Sequence, residues 1–456
     1  MSYRSGGGNG KRWMIATSAA LLLGGCAPVA DSPAPSASEV AKSAEVVAVK
    51  PQTPLPASLK TRLEAAIEQV RQRELYTNNA FWTIFHGILG LGPGLAITDP
   101  NTQTKVNALD YVFGGNFAYG EIRGMRFIPT SAGLDVQTGP TFIGQGHQDQ
   151  FIAEIAQWNT PPDKKVIVYG REYTLMDFVH EVKAHVRPTG QELSWAIVVL
   201  AQYIGTDFEW TNRFGEKLHY NDVVRFELEA SVNQAACGGT HRLFGLTWAY
   251  HLHMQNGGKK EGIWKEVADK LDQHVAMAKE YQNPDGAFSS LYFRGKGSTT
   301  DPKDRLGAAG HTLEWLAAWL PDDQLKEQWM QDGANAVSLM ILDLQSAEME
   351  SGALYHAVHG LILYYRRVFG WEKFDSQLQP TLAEQNSGFS QPTKTEVPAP
   401  PPDSSEPAAA KADEPATDPT PKSPPAESPT SKTGDSQAGK NAVTPVSANS
   451  PPTTPK

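Results

Sequence analysis

Cys237-Gly238-Gly239-Thr240-His241-Arg242-Leu243-Phe244-Gly245-Leu246 sets a histidine after small and polar residues and follows it with an apolar run at helical spacing. The arrangement recurs on both sides of it. His86-Gly87-Ile88-Leu89-Gly90-Leu91, His311-Thr312-Leu313-Glu314-Trp315-Leu316 and His359-Gly360-Leu361-Ile362-Leu363 are close copies. Gly146-His147-Gln148-Asp149-Gln150-Phe151-Ile152 is a more polar copy, and Glu192-Leu193-Ser194-Trp195-Ala196-Ile197 carries Trp195 at the marker position. Self-similarity of this kind bears on the architecture before any local reading, because each copy is one unit of a repeated packing scheme.

Around these markers, between residues 57 and 376, the apolar residues fall at helical spacing and the segments have two characters. Segments 59–76, 175–186, 222–234, 262–282 and 323–345 carry an apolar stripe and many charges, as helices with one wet face do. Segments 80–91, 147–158, 192–204, 238–254, 306–320 and 352–369 are apolar on most sides and read as helices buried all round. The six markers begin this second set. An insert, 95–145, interrupts the alternation; within it 104–113 supplies the missing charged helix, and the Gly-rich remainder reads as loops or short hairpins. Two layers of alternating helices either stack as an open solenoid or close as a double ring, and the much more apolar set favours closure. The expected fold is all-α, an (α/α)6-type toroid.

Gln282-Asn283-Pro284-Asp285-Gly286-Ala287-Phe288 resembles the QW-type repeat of the squalene cyclase and prenyltransferase superfamily, with Phe288 in place of the usual Trp. The order of segments is similar to that of uncharacterised exported bacterial lipoproteins of that superfamily. The resemblance implies an α/α toroid and no particular activity.

The ends of the chain differ from this core. Lys11 and Arg12 precede an apolar run from Trp13 to Leu23, so residues 1–26 read as an export signal. The ending Leu23-Gly24-Gly25-Cys26 resembles a bacterial lipobox, which implies that Cys26 is lipid-modified and anchors the protein to a membrane. Ala27 stands where such lipoproteins carry an Asp for inner-membrane retention, so the resemblance points to the outer membrane, facing the periplasm. Residues 27–56 contain six prolines among Ala, Ser and Val, and residues 377–456 hold 17 of the chain's 33; neither composition can bury enough surface to fold. They are expected to be a disordered tether and a disordered tail.

A net charge of −10 argues against a nucleic-acid partner. With Cys26 assigned to lipidation, Cys237 has no cysteine left to pair with, so metal binding or packing must explain it.

In a closed double ring the inner helices run parallel and their N-termini open at one end. His86, His147, Cys237, His241, His311, His356 and His359 are expected at that mouth, with Asp149, Glu192, Glu314 and Tyr355 as neighbours. A histidine in a first helical turn meets the positive end of the helix dipole, which disfavours imidazolium and leaves a neutral ring able to accept a proton or bind metal. Cys237 and His241 are four apart and share a helix face; with His311 they make a candidate zinc site. Protein prenyltransferases and lanthionine-forming cyclases, which share the fold the resemblance implies, bind zinc through Asp-x-Cys and Cys-His-Gly motifs that this chain lacks. It also lacks the Asp-x-Asp-Asp acid of squalene-type cyclases and the Cys-Gly-Glu-Gln of thioester domains.

Acid–base work on a bound ligand remains, and toroidal polysaccharide lyases and hydrolases do such work with His, Tyr, Arg and carboxylates. The catalytic candidates are His241 as base, Tyr355 or His359 as acid, and His311 and Glu314 beside them. His86, His147, Asp149, Glu192 and Arg242, or Arg126, are candidates for holding the ligand, a glycan, lipid or cell-wall component. The competing class is a non-catalytic binding or scaffold protein, with the core tryptophans as an apolar lining.

Overall fold

A computed structural model of the chain describes residues 58–370, apart from 116–117, 120–121, 124–125, 140–143, 190–191 and 346. The signal with Cys26, the tether and the tail lie outside the described residues.

Helices account for most of the described chain, and their two characters follow from what each buries. The charged set comprises α1 (Leu59–Arg71), α3 (Ala108–Phe113), α5 (Leu175–His185), α7 (Tyr220–Glu229), α9 (Ile263–Glu280) and α12 (Gln328–Leu344). Each buries a stripe: in α9 it is Trp264, Val267, Ala268, Leu271, His274 and Ala278, which recur at one turn after another so that one face alone leaves water. The apolar set comprises α2 (Phe81–Leu91), α4 (Gln150–Ala156), α6 (Ser194–Tyr203), α8 (Thr240–Gln255), α10 (Pro302–Trp319) and α13 (Ser351–Phe369). In α13 every residue from Gly352 to Arg366 is buried. A short helix, α11 (Asp322–Leu325), links α10 to α12.

Local chemistry sets the helix ends. Asp301 accepts from the Asp304 amide, and Pro302 opens α10 where no intrahelical N–H is needed. Glu350 accepts from the amides of Gly352 and Ala353 at the start of α13, which stops at Gly370 with φ 90°.

Contacts within the apolar set run in cyclic order: α2 on α4, α4 on α6, α6 on α8, α8 on α10, α10 on α13, and α13 back on α2. The charged helices cover this set from α1, which lies on α12 and α13, through to α12, which lies on α10 and α13. The first and last parts of the described chain are tied by Arg62 Nε donating to Asn335 Oδ1 (2.7 Å) and the Tyr365 hydroxyl donating to Glu64 Oε1 (2.6 Å). Helices α10 and α13 meet closely. A Cβ on Gly310 would come within 2.6 Å of Ala357, and one on Gly360 within 2.8 Å of the Glu314 backbone, so these glycines set the approach.

Strands correct the all-α expectation to mostly α. Among the described residues there are five two-stranded antiparallel pairs: β1 (Ala96–Thr98) with β2 (Lys105–Asn107), β3 (Ala118–Tyr119) with β4 (Ile122–Arg123), β5 (Phe127–Pro129) with β6 (Leu134–Val136), β7 (Lys165–Val168) with β8 (Arg171–Thr174), and β9 (Glu209–Thr211) with β10 (Lys217–His219). The pairs β3–β4 and β5–β6 lie where loops or short hairpins were expected; β2 occupies the start of the segment 104–113 expected as helix, which begins only at Ala108, and β7–β8 and β9–β10 were not expected. In β7, Val166 and Val168 alternate inward, and Tyr169 and Gly170 turn with φ 48° and 74°, the left-handed pair of a tight hairpin. Each of β2, β8 and β10 runs straight into a charged helix, whose N-cap is Asn107, Thr174 or His219. A hairpin of this kind joins an apolar helix to the next charged one three times. No helix among the described residues is long and apolar enough to cross a membrane.

Candidate functional site

His86 on α2, His241 on α8, His311 on α10 and His356 on α13 line one cavity of about 450 Å³. Cys237, Trp82, Gln150 and Tyr292 also line it, and Lys303, Asp304 and Glu350 are its charged groups. The rings of His311 and His356 stack at 4.1 Å, a consequence of the glycine approach between α10 and α13. His241 stands 5.4 Å from His311, and His86 stands 5.3 Å from His356.

The expected helix-start placement holds for His241, the second residue of α8. It fails for His86, His311 and His359, which lie a turn or more inside their helices, and for His147, which precedes α4. The helix dipole therefore does not account for neutral imidazole in the former three, because its effect fades within the first turn. Burial does so for His86 and His241: it pushes both well below the usual imidazole value, and neighbouring histidines push further in the same direction.

Hydrogen bonds fix the Nδ1 side of three of these rings. His86 Nδ1 lies 2.9 Å from the Trp82 carbonyl and His311 Nδ1 lies 2.7 Å from the Gly307 carbonyl. A carbonyl only accepts, so both rings are protonated at Nδ1 and carry a lone pair at Nε2. His356 Nδ1 lies 2.7 Å from Glu314 Oε2. His241 is 3 % exposed, and neither of its ring nitrogens has a hydrogen-bond partner. Buried polar atoms are nearly always satisfied, so two orphans on one ring call for a ligand.

The coordinating atoms of Cys237, His241 and His311 all lie within 4.8 Å of one another and can hold a metal ion. Two imidazoles on one tetrahedral ion, with metal–nitrogen bonds of about 2.0–2.1 Å, hold their ring centroids roughly 5 Å apart, close to the His241–His311 spacing. Cys237 reaches this set by a different route from the shared helix face expected of it. It precedes α8 in a left-handed turn, with φ 48° at Cys237, 64° at Gly238 and 91° at Gly239, and the ring of Tyr292 occupies the space a Cβ on Gly238 would fill. A non-glycine residue held this way costs on the order of 1–3 kcal/mol, the kind of strain that gathers at functional positions. Two further sets are close enough to hold an ion: His86 with Glu154 and His356, and the less buried His147 with Glu192 and His241.

Several of the other candidates are placed behind the cavity wall. Glu314 bridges two rings of α13, accepting from His356 Nδ1 and, at 2.6 Å, from His359 Nδ1. Burial alone would raise its pKa, but the charges and hydrogen bonds of these histidines hold it well below the usual carboxylate range. His359 is fully buried below His356, against Trp158. Tyr355 is buried between α13 and α2, where a Cβ on Gly90 would come within 2.8 Å of its ring. Asp149 accepts from His185 Nε2 at 3.0 Å, and Glu192 lies 3.6 Å from His147 Nδ1. Arg242 Nε donates at 2.9 Å to Glu227, and Arg126 donates to Gln137 within the β5–β6 region.

Glu154 and Gln150 were not singled out from sequence. One carboxylate inside the apolar helix Gln-Phe-Ile-Ala-Glu-Ile-Ala was the available signal, since a buried charge without a purpose is costly. No family model, curated protein or solved structure matches the chain.

Proposed function

We propose that the chain is a lipid-anchored protein of the bacterial cell envelope whose cyclic helix arrangement is an (α/α)6 toroid, and that its histidine-lined cavity holds zinc and hydrolyses a glycan or lipid ligand. One observation carries the site: Cys237, His241 and His311 converge at the cavity wall while neither ring nitrogen of His241 has a hydrogen-bond partner. One thiolate and two imidazoles suit zinc, and three protein ligands beside an open cavity leave a coordination position for substrate or water. When bound, the ion supplies Lewis acidity and a water acidic enough to be deprotonated near neutral pH. The chain's own residues position the rest. Glu314 fixes the His356 ring from behind, and Lys303 and Asp304 offer charge of both signs to a polar ligand at the wall.

The resemblance to the cyclase and prenyltransferase superfamily is supported by the motif that suggested it. Gln282 Nε2 donates to the carbonyls of Gly286 and Trp329, both at 2.8 Å, and so stitches the turn after α9 to α12. Phe288 packs edge-on against Trp329.

Metal analysis of the purified full chain is expected to find zinc, with less in Cys237→Ser; an unchanged zinc content in that variant would remove Cys237 from the site. Anchoring is tested separately. Cys26→Ala is expected to move the protein from the membrane fraction to the soluble one, because acyl chains on Cys26 are its proposed attachment. Retention of the variant in the membrane fraction would end the lipid-anchor reading.

A further inference from the structure

Beside the proposed zinc site lies a fully buried carboxyl group, one of whose oxygens has no hydrogen-bond partner. Glu154 is 0 % exposed on α4. Its Oε1 accepts from Gln150 Nε2 at 2.8 Å and stands 3.6 Å from His86 Nε2, while its Oε2 has no hydrogen-bond partner. Gln150 Nε2 also lies 3.3 Å from His86 Nε2, so the amide holds both groups in place. His86 is committed through Nδ1 to the Trp82 carbonyl and turns its Nε2 lone pair toward this carboxylate. His356, committed through Nδ1 to Glu314, stands across from it with ring centroids 5.3 Å apart.

We propose that His86, Glu154 and His356 bind a second divalent transition-metal ion, so that the cavity holds a two-metal centre. Their coordinating atoms all lie within 4.8 Å of one another. The 5.3 Å between the two rings matches the roughly 5 Å that two imidazoles on one tetrahedral ion would adopt. Two imidazoles and a carboxylate form a hard-to-borderline set suited to zinc, manganese or iron, without the thiolate of the neighbouring site. An ion here would favour the ionised form of this buried carboxyl group and engage the oxygen that lacks a partner. Glu314 behind His356 and the Trp82 carbonyl behind His86 are the outer hydrogen-bond partners that metal-binding histidines carry. The two sites are neighbours. His311 belongs to one and His356 to the other, and their rings stack at 4.1 Å. Paired ions in one cavity are a recurrent device for hydrolysis at phosphorus, by in-line displacement, and at acyl carbon, by addition of water and expulsion of the leaving group. The proposal extends the zinc reading, but its ligands stand without Cys237 or His241.

The test is a cobalt(II) titration of the chelator-treated full chain, with the absorption spectrum and the stoichiometry as readouts. Two equivalents are expected, one giving a sulfur-to-cobalt charge-transfer band from Cys237 and one giving only ligand-field bands. Glu154→Gln, which keeps the shape and removes the charge, should weaken the second equivalent by about 10–100-fold and leave the charge-transfer band in place. Cys237→Ser should do the reverse. His86→Gln provides a second variant should Glu154→Gln fail to fold, judged by its circular dichroism. One equivalent in the parent chain, with Glu154→Gln and His86→Gln binding it unchanged, would overturn the two-metal proposal and leave the zinc site standing. Loss of an equivalent in Glu154→Gln with no charge-transfer band in the parent would sink the Cys237 site and keep this one.

Discussion

Replacing His241 by leucine is expected to abolish metal binding with Cys237 and His311 and at the same time to raise the melting temperature of the metal-free chain. Both effects come from the same pair of atoms. His241 is 3 % exposed, its two ring nitrogens lack partners, and it is packed between Trp195 at 4.8 Å and His147 at 5.0 Å. A buried polar group without a hydrogen bond costs about 1–3 kcal/mol, and leucine removes it while filling much of the same space. In a folded unit of this size that gain corresponds to a shift of roughly 2–4 °C per kcal/mol. Calorimetry in chelator, paired with metal analysis, reads both sides. A leucine variant that melts well below the parent and still retains its zinc would return His241 to the role of a packing residue. In the presence of zinc the order of stabilities should invert, because only the parent gains the binding free energy of the Cys237–His241–His311 site.

One residue along, the opposite result is expected. Arg242→Ala should lower the melting temperature severely, by roughly 10 °C, because it leaves a charge buried without its counterion at a cost of about 3–5 kcal/mol. Glu227 is 0 % exposed and accepts from Arg242 Nε, the Leu193 amide at 2.7 Å and the Ser194 hydroxyl at 2.8 Å. It therefore ties α7, the start of α6 and the start of α8 at one point. Arg242→Met combined with Glu227→Gln should recover part of the loss, since the amide keeps an acceptor and carries no charge. Thermal melts of the single and double variants check this. An Arg242→Ala chain within a degree or two of the parent would show that the pair is not what holds these helices together.

Adjacent positions on one helix thus serve two ends, and their spacing in sequence does not tell them apart. What the sequence by itself determined is the segmentation: the apolar and charged helices, their order, and the recurrence of a histidine in the apolar set are all present in periodicity and composition. Periodicity records that a residue is buried, because burial selects for apolar neighbours three and four positions away. It does not record what the residue is buried against. The tertiary structure alone decided that Glu314 serves His356 and His359 from behind, that Tyr355 lies between two helices, and that Glu154 meets His86 and His356. The hairpins β7–β8 and β9–β10 were lost for a related reason. Strands of three or four residues span too few periods to stand out against helices several times their length. The cavity itself depends on how closely α10 approaches α13, which is set by Gly310 meeting Ala357 and Gly360 meeting Glu314. These pairs lie tens of residues apart, and their meeting is enforced only when the whole cycle of helices packs.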